Sequence, residues 1–359
     1  MTALVYREDM DAVRDRLTRW WRGEEIGRPV LLITTPREAP IRNVPPQPPP
    51  DGWLTDYSTR DFDYRVHLAA RFCERLCFFG EAVPHVAPDL APNCLALYLG
   101  CAGIEMSDTV WCAPCIETPE SARFEVNPDN FYWRFTLRLG DAMLRLAKNH
   151  FLVAFPDLIE GLDTLEAMRG GMALLEDLYT RPDWVHDCMD RITDLYFFYY
   201  NALYQRFRDE TGGSHYWMWA PGRMAKLQCD FSAMIGPEMF AEFMLPVLKK
   251  MTERLDFSMY HWDGPGALVH HDHLLSIPRL HAIQWTPGEG QPPPPHRHWW
   301  PIYHKTVEAG KAVILNHGVT PEDLAPLQRE FGPKLNRFAI SLHLNYPAEA
   351  AAIIRQLSD

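Results

Sequence analysis

Short apolar runs, most of them closed by a proline or glycine, alternate along the chain with longer stretches in which apolar positions return every three or four residues. The short runs are RPVLLITTP (28–36), AVPHVAPDL (82–90), NHFLVAFPDL (149–158), HYWMWAPG (215–222) or its continuation to Asp230, FSMYHWDG (257–264), LHAIQWTPG (280–288), KAVILNHG (311–318) and RFAISLHLNY (337–346). Their length and their β-branched and aromatic content predict strands. The stretches between them predict helices. DYRVHLAARFCERLCFFG (63–80) runs to Gly80 as a helix-ending residue, and Pro182 suits the first turn of a helix over 182–207. The segment 236–255 is amphipathic, with Pro246 as its kink, and 320–332 and 347–357 open with Thr-Pro-Glu and Pro-Ala-Glu.

Eight strands separated mostly by helices predict an α/β fold: a (β/α)8 TIM-type barrel spanning 1–359 as a single domain, with 1–27 as an N-terminal helical extension. An open doubly wound sheet competes. It would usually carry a glycine-rich phosphate loop after its first strand, and LITTPREAP has no glycine. Two proline-rich stretches, 36–53 and 288–300, interrupt the alternation as surface loops; the second follows a strand and is either a stiff wall of the site or a spacer.

Composition narrows the function. The chain is 47% hydrophobic and 12% aromatic, enough for a large core, and its net charge of −12 argues against gripping nucleic acid. No window approaches 18 consecutive apolar residues, so no membrane span is expected, and the charged amphipathic start lacks the apolar core of a signal peptide. A cytoplasmic protein with reduced thiols follows as the expectation for its eight cysteines. Cys112 and Cys115 form a C-x-x-C, but no second such pair exists to complete a zinc site.

In a barrel, reactive groups collect at the C-terminal ends of the strands. Those ends carry Asp89, Asp157, Gln228, Asp230, His261, Asp263, Glu289, Asn316, His317, His343 and Asn345, and 11 of the 15 histidines lie between 215 and 343. His261 and Asp263 stand two residues apart, so on a strand they face one side. Imidazole and carboxylate are ordinary zinc ligands, and catalytic zinc keeps three protein ligands and one open position. His343 or His317 would complete the set. Asp263 orienting His261 in a metal-free site, or capping the turn at Gly264, are the other readings. His270, His271 and His273 read as surface residues on a helix start. WMWAPGRMAKLQCDF supplies the aromatic pair Trp217 and Trp219, with Arg223, Gln228 and Asp230, as candidate binding groups for a planar or methylated ligand, core packing being the competing account for at least one Trp. Arg169 either pairs a carboxylate or lies on a helix surface.

PDLIEGLDTLEAMRGGMALLEDLYTRPDWV, LQCDFSAMIGPEMFAEFMLPVL and YHWDGPGALVHHDHLLSIPRLHAIQWTPGEG resemble the uroporphyrinogen decarboxylase superfamily, in the branch related to corrinoid-dependent methyltransferases. The resemblance runs from about residue 25 to 355 and rests most on the His-x-Asp-Gly-Pro-Gly and Gln-Cys-Asp-Phe blocks. It implies a barrel with its site at the C-terminal mouth. Methyl-transferring members bind zinc through a His-x-Cys pair and a later Cys; the matching places are His261, Asp263 and His343. Both thiolates are absent, which opens the site to another metal or to none. The Arg-Gln-Ala-Gly stretch of the tetrapyrrole decarboxylases is also absent from LITTPREAPIRN, which argues against uroporphyrinogen as substrate.

The expectation is a methyltransferase-like enzyme that moves a one-carbon group between a small molecule and a carrier, with a corrinoid on a partner protein as the carrier the resemblance implies. A divalent metal, zinc first, would sit on His261, Asp263 and His343. Asp157 and Asp230 would join His261 and Asp263 in catalysis, and Gln228, Trp219, Arg223, Glu289 and His317 would bind substrate. The alternatives are a metal-free decarboxylase of a small acid or pyrrole and a non-catalytic ligand-binding barrel. A homodimer is an open arrangement; nucleic-acid and membrane partners are not expected.

Overall fold

A computed structural model describes residues 4–48 and 56–358. The strands that position the site are β1 (Val30–Pro36), β2 (Leu76–Gly80), β3 (His85–Val86), β4 (Leu152–Val153), β5 (Met224–Gln228), β6 (Phe257–Asp263), β7 (Ala282–Thr286), β8 (Ala312–Leu315) and β9 (Phe338–His343). Seven form one sheet in the order β2-β1-β9-β8-β7-β6-β5, all parallel except β2, which runs antiparallel to β1. β3 and β4 pair in a separate parallel ladder. Six of the parallel strands expected of a barrel are thus in one sheet and two form a separate ladder, and the barrel is not closed. Glu81 N to Leu31 O (2.7 Å) continues the β1–β2 pairing, and Phe155 N to His215 O (3.0 Å) ties the segment after β4 to a later hairpin.

Alternation along the strands sorts the chain into two apolar clusters. Leu227, Tyr260, Trp262, Ile283, Trp285, Val313, Leu315 and Ile340 pack outward against the helices. Met224, Met259, Ala282, Ala312 and Ala339, near the N-terminal ends of their strands, pack with Trp20 and Trp21. The three alanines leave room for those indoles. The helix Met10–Trp21 buries Met10, Val13, Leu17, Trp20 and Trp21 at three-to-four spacing, and so plugs this end of the sheet. Each large side chain fully buried there contributes about 2 kcal/mol. Trp21 Nε1 also donates to Trp219 O at 3.0 Å. The opposite, C-terminal ends of the strands are left for chemistry.

Three sequence expectations change. The helix predicted over 63–80 ends at Phe72, and after one tight turn LCFFG becomes β2, with Ile33 opposite Phe79. Gly80, at φ +61°, closes that pairing against Leu31 O, where a Cβ would come within 2.2 Å. The strands predicted over 82–90 and 149–158 shrink to two residues each. HYWMWAPG folds as an antiparallel hairpin, Ser214–Tyr216 with Met218–Ala220, and the parallel strand starts only at Met224. The proline-rich segment 36–53 falls partly outside the described residues. The second one is clamped: Trp299 Nε1, Tyr303 OH and Trp300 Nε1 donate to the carbonyls of Pro292, Pro294 and Pro295. Among the described residues no helix is long and apolar enough to cross a membrane.

Candidate functional site

Parallel register sets the polar side chains of neighbouring strands level with one another. Gln228 on β5, His261 on β6 and Gln284 on β7 are direct partners, and Asp263 stands beside Thr286 one step further. Two residues below lie Lys226 and Met259. These residues share the face of Met224, Met259 and Ala282, so the inward face changes from apolar to polar as the strands run toward their C-terminal ends.

Asp230, at the turn that follows β5, completes a group with His261 and Asp263: one ligand atom from each lies within 4.8 Å of the other two. The Gln284 amide fixes the imidazole. Its Nε2 donates to Thr286 Oγ1 (2.9 Å), so its Oε1 accepts from His261 Nδ1–H and Nε2 of His261 keeps its lone pair. Burial, followed by the nearby Lys226 ammonium, lowers the His261 pKa and keeps the ring neutral. Thr286 Oγ1 also meets His317 Nε2 at 3.3 Å.

Carboxylates crowd this mouth. Asp163 accepts from the backbone N–H of Asp230 and Phe231, both at 2.9 Å, and from Gln228 Nε2 at 3.2 Å, which also donates to Asp230 Oδ2 at 3.1 Å. Removal from water, with Asp163 close by, pushes Asp230 up to about 7 although its side chain opens to a cavity. Glu160 accepts from Gln228 N at 2.8 Å, has a buried Oε2 with no partner, and is raised well above the usual range by burial. Against these acids lies the buried ammonium of Lys226, with buried Arg65 further off beside Asp89. Lys226 Nζ lies 2.7 and 2.9 Å from the two oxygens of Asp157 and also bonds Gln228 Oε1. Asp157 N in turn donates to Asp89 Oδ1 (3.0 Å), and Asp89 is pushed up to about 6 by burial and then by the Asp157 charge. Trp217 supplies the aromatic wall, edge-on to His261 with ring centres 5.6 Å apart and 5.8 Å from the Lys226 ammonium. A cavity of about 460 Å³ adjoins the group, lined by Asp163, Gln228, Asp230, Trp111 and Cys112 among others.

Of the residues expected from sequence, the structure brings together His261, Asp263, Asp230, Gln228 and, through Lys226, Asp157. His317 reaches the edge of the group through Thr286. His343 is bonded to Thr34 (Nδ1 to Oγ1, 2.6 Å) and is not part of the three-residue group. Register explains this: the row of His261 passes through Gln284 and Ile314 to Ala339, so His343 lies three strands across and four residues further along, about 13 Å of strand. Trp219 and Arg223 sit at the other end of the sheet. Trp219 is buried with Trp20 and Trp21 and donates to Asp209 Oδ2 (2.9 Å), while Arg223 precedes β5 and bonds Asn201 Oδ1 (2.6 Å). The hairpin turn at Trp217 (φ +55°) separates two tryptophans that a continuous strand would put on one face. Glu289 is exposed in the turn after β7. His270 and His271, expected on the surface, are buried and stack on Phe240 and Trp262. Arg169 pairs with Asp177 at 2.8 Å.

Lys226, Gln284, Glu160 and Asp163 carry the site's geometry without having been assigned a site role from the sequence, whereas Trp217 was one of the aromatic pair expected to wall the pocket. Counting back by two from Gln228 and Thr286 marks Lys226 and Gln284. Nothing local separates Asp163 from an ordinary helix acid, because its partners are backbone N–H groups 67 and 68 residues away.

No family model matches the sequence, and no curated protein is similar to it. Among solved structures, a methyltransferase from Methanosarcina mazei superposes with a TM-score of 0.59 over 97% of this chain and 98% of that one, at 12% identity. At that identity the likeness is one of fold.

Proposed function

We propose that this chain is a metal-assisted methyltransferase-like enzyme in which Asp230, His261 and Asp263 hold a divalent cation at the C-terminal ends of the central strands. The observation that carries the reading is the convergence of these three donors, with the Gln284 amide holding the His261 tautomer that leaves Nε2 its lone pair. The donor set fits a borderline or hard ion such as zinc, and the surplus of carboxylates over the Lys226 ammonium calls for a further positive charge. When bound, such a cation would polarise the atom that gives or accepts the one-carbon group. The chain's own residues do the rest. Gln284 orients His261, Asp163 holds the Asp230 turn, Lys226 pairs with Asp157 and holds it in place, and Trp217 with the cavity wall excludes water from one side. The fold shared with a methyltransferase supports the transfer reading, and the resemblance of the His-x-Asp-Gly-Pro-Gly block supports a corrinoid carrier on a partner protein.

Metal analysis of the purified chain tests the site. Asp230→Asn, His261→Ala and Asp263→Asn are each expected to lower bound zinc at least tenfold, while His343→Ala retains it; zinc unchanged in His261→Ala overturns the site. Transfer itself is tested with free methylcobalamin and a panel of thiols, followed by the cobalamin spectrum. A second reading rests on Asp230, whose pKa of about 7 lets it carry a proton at neutral pH in the metal-free chain, as a decarboxylase acid would. Carbon dioxide release from small acids in the presence of chelator would favour it.

A further inference from the structure

Three thiols gather beside the cavity, away from the metal-binding group. Cys101 ends the segment that follows the helix Cys94–Tyr98, and a hairpin, Ala102–Glu105 with Val110–Ala113, begins immediately after it. Because Ala102 is paired with Ala113, Cys101 and Cys115 emerge side by side at the open end of the hairpin. Their sulfurs are 3.5 Å apart, and the Cys101 thiol also meets that of Cys112. The C-x-x-C spacing would pair Cys112 with Cys115; the fold instead puts buried Cys101 against exposed Cys115. Both are pinned to the helix Gly161–Arg169. Cys115 N and Ile116 N donate to Met168 O at 2.9 and 2.8 Å, and Cys101 Sγ donates to Ala167 O at 3.6 Å.

We propose that Cys101 and Cys115 are a reversible dithiol–disulfide pair that ties down the hairpin wall of the cavity. The sulfurs need only close to the bonded distance of about 2.05 Å, within reach of side-chain rotation. Cys115 is the entry point: it is exposed, and its contact with the Cys101 sulfur lowers its pKa. Its thiolate attacks a low-molecular-weight disulfide RSSR, the S–S bond breaks, and one thiolate leaves to take a proton. Cys101 then loses its proton and attacks Sγ of Cys115 in the mixed disulfide, releasing the second thiol. The sum is two cysteine thiols plus RSSR giving one protein disulfide plus two RSH. The bond would close residues 101–115 into a loop containing Val110, Trp111 and Cys112, which line the cavity shared with Asp230. This inference is independent of any metal.

The test treats the reduced full-length chain with glutathione disulfide, alkylates the remaining thiols with iodoacetamide and maps the peptides by mass spectrometry. The expected result is a Cys101–Cys115 cross-link that dithiothreitol reverses, with buried Cys73, Cys94, Cys188 and Cys229 carrying neither adduct nor cross-link. In Cys101→Ser a glutathione adduct should persist on Cys115, with none on buried Cys188. A wild-type chain that keeps the adduct on Cys115, or links Cys112 to Cys115 while Cys101 is alkylated, or shows no thiol change, overturns the proposal. The wild-type measurement decides without the variant, and zinc analysis of the same samples reads the metal site separately.

Discussion

Lys226 is 4% exposed and Asp157 9%, and their pairing is open to a double-mutant cycle. At the observed 2.7–2.9 Å and an effective dielectric constant of about 20, the attraction is about 6 kcal/mol before desolvation is subtracted. Lys226→Met removes the ammonium and leaves the Asp157 carboxylate beside the buried Asp89, with no cation against it. Asp157→Asn leaves the ammonium bonded to Gln228 but without its carboxylate partner. Each single change is expected to cost about 3–5 kcal/mol, because what remains is an uncompensated buried charge. The double variant removes both charges, and should recover enough to give a coupling energy of about 3 kcal/mol. Urea unfolding of the four proteins at neutral pH measures this, provided the m-values agree. Additivity to within about 0.5 kcal/mol would refute the claim that the Lys226–Asp157 ion pair holds this part of the fold together.

Three further outcomes are expected. Gly80→Ala should cost at least about 2 kcal/mol, since left-handed strain is joined by the clash with Leu31 O, whereas Gly288→Ala, also left-handed but with open space around it, should cost only about 1 kcal/mol; thermal unfolding of both separates strain from clash. The His271 ring is held at about 4 by burial and then by Lys305, below its unfolded value of 6.5, so the unfolded chain binds the extra proton between these values. Stability is therefore full above about pH 6.5 and falls as pH drops toward 4, by at most about 3 kcal/mol from this group, and His271→Leu should flatten that dependence in urea titrations at several pH values. Gln284→Leu should weaken zinc binding about 10–100-fold without removing a ligand, measured by competition with a chromogenic chelator, because His261 loses the partner that fixes its tautomer.

Alternation was enough to find most strands and to place His261 and Asp263 on one face, because side-chain direction along a strand depends only on neighbouring residues. The same rule put polar residues at strand ends, where Asp157, Gln228 and Asp230 were found. It failed where the chain departs from regular geometry: a left-handed turn at Trp217 moved Trp219 to the plugged end, and LCFFG completed an antiparallel pair where a helix was expected. The third member of the candidate metal-binding group shows the boundary most sharply. His343 and Asp230 are both polar residues at or just past strand ends, and sequence cannot rank them, because ladder offset between strands is a property of the assembled sheet. The register running from His261 through Gln284 and Ile314 to Ala339 carries His343 away, and the Asp163 carboxylate, gripping two backbone N–H groups, turns Asp230 in. Residue order thus determined which side chains could serve this mouth, while long-range pairing decided which of them meet, since the energies that select a register are summed over contacts far apart in the chain.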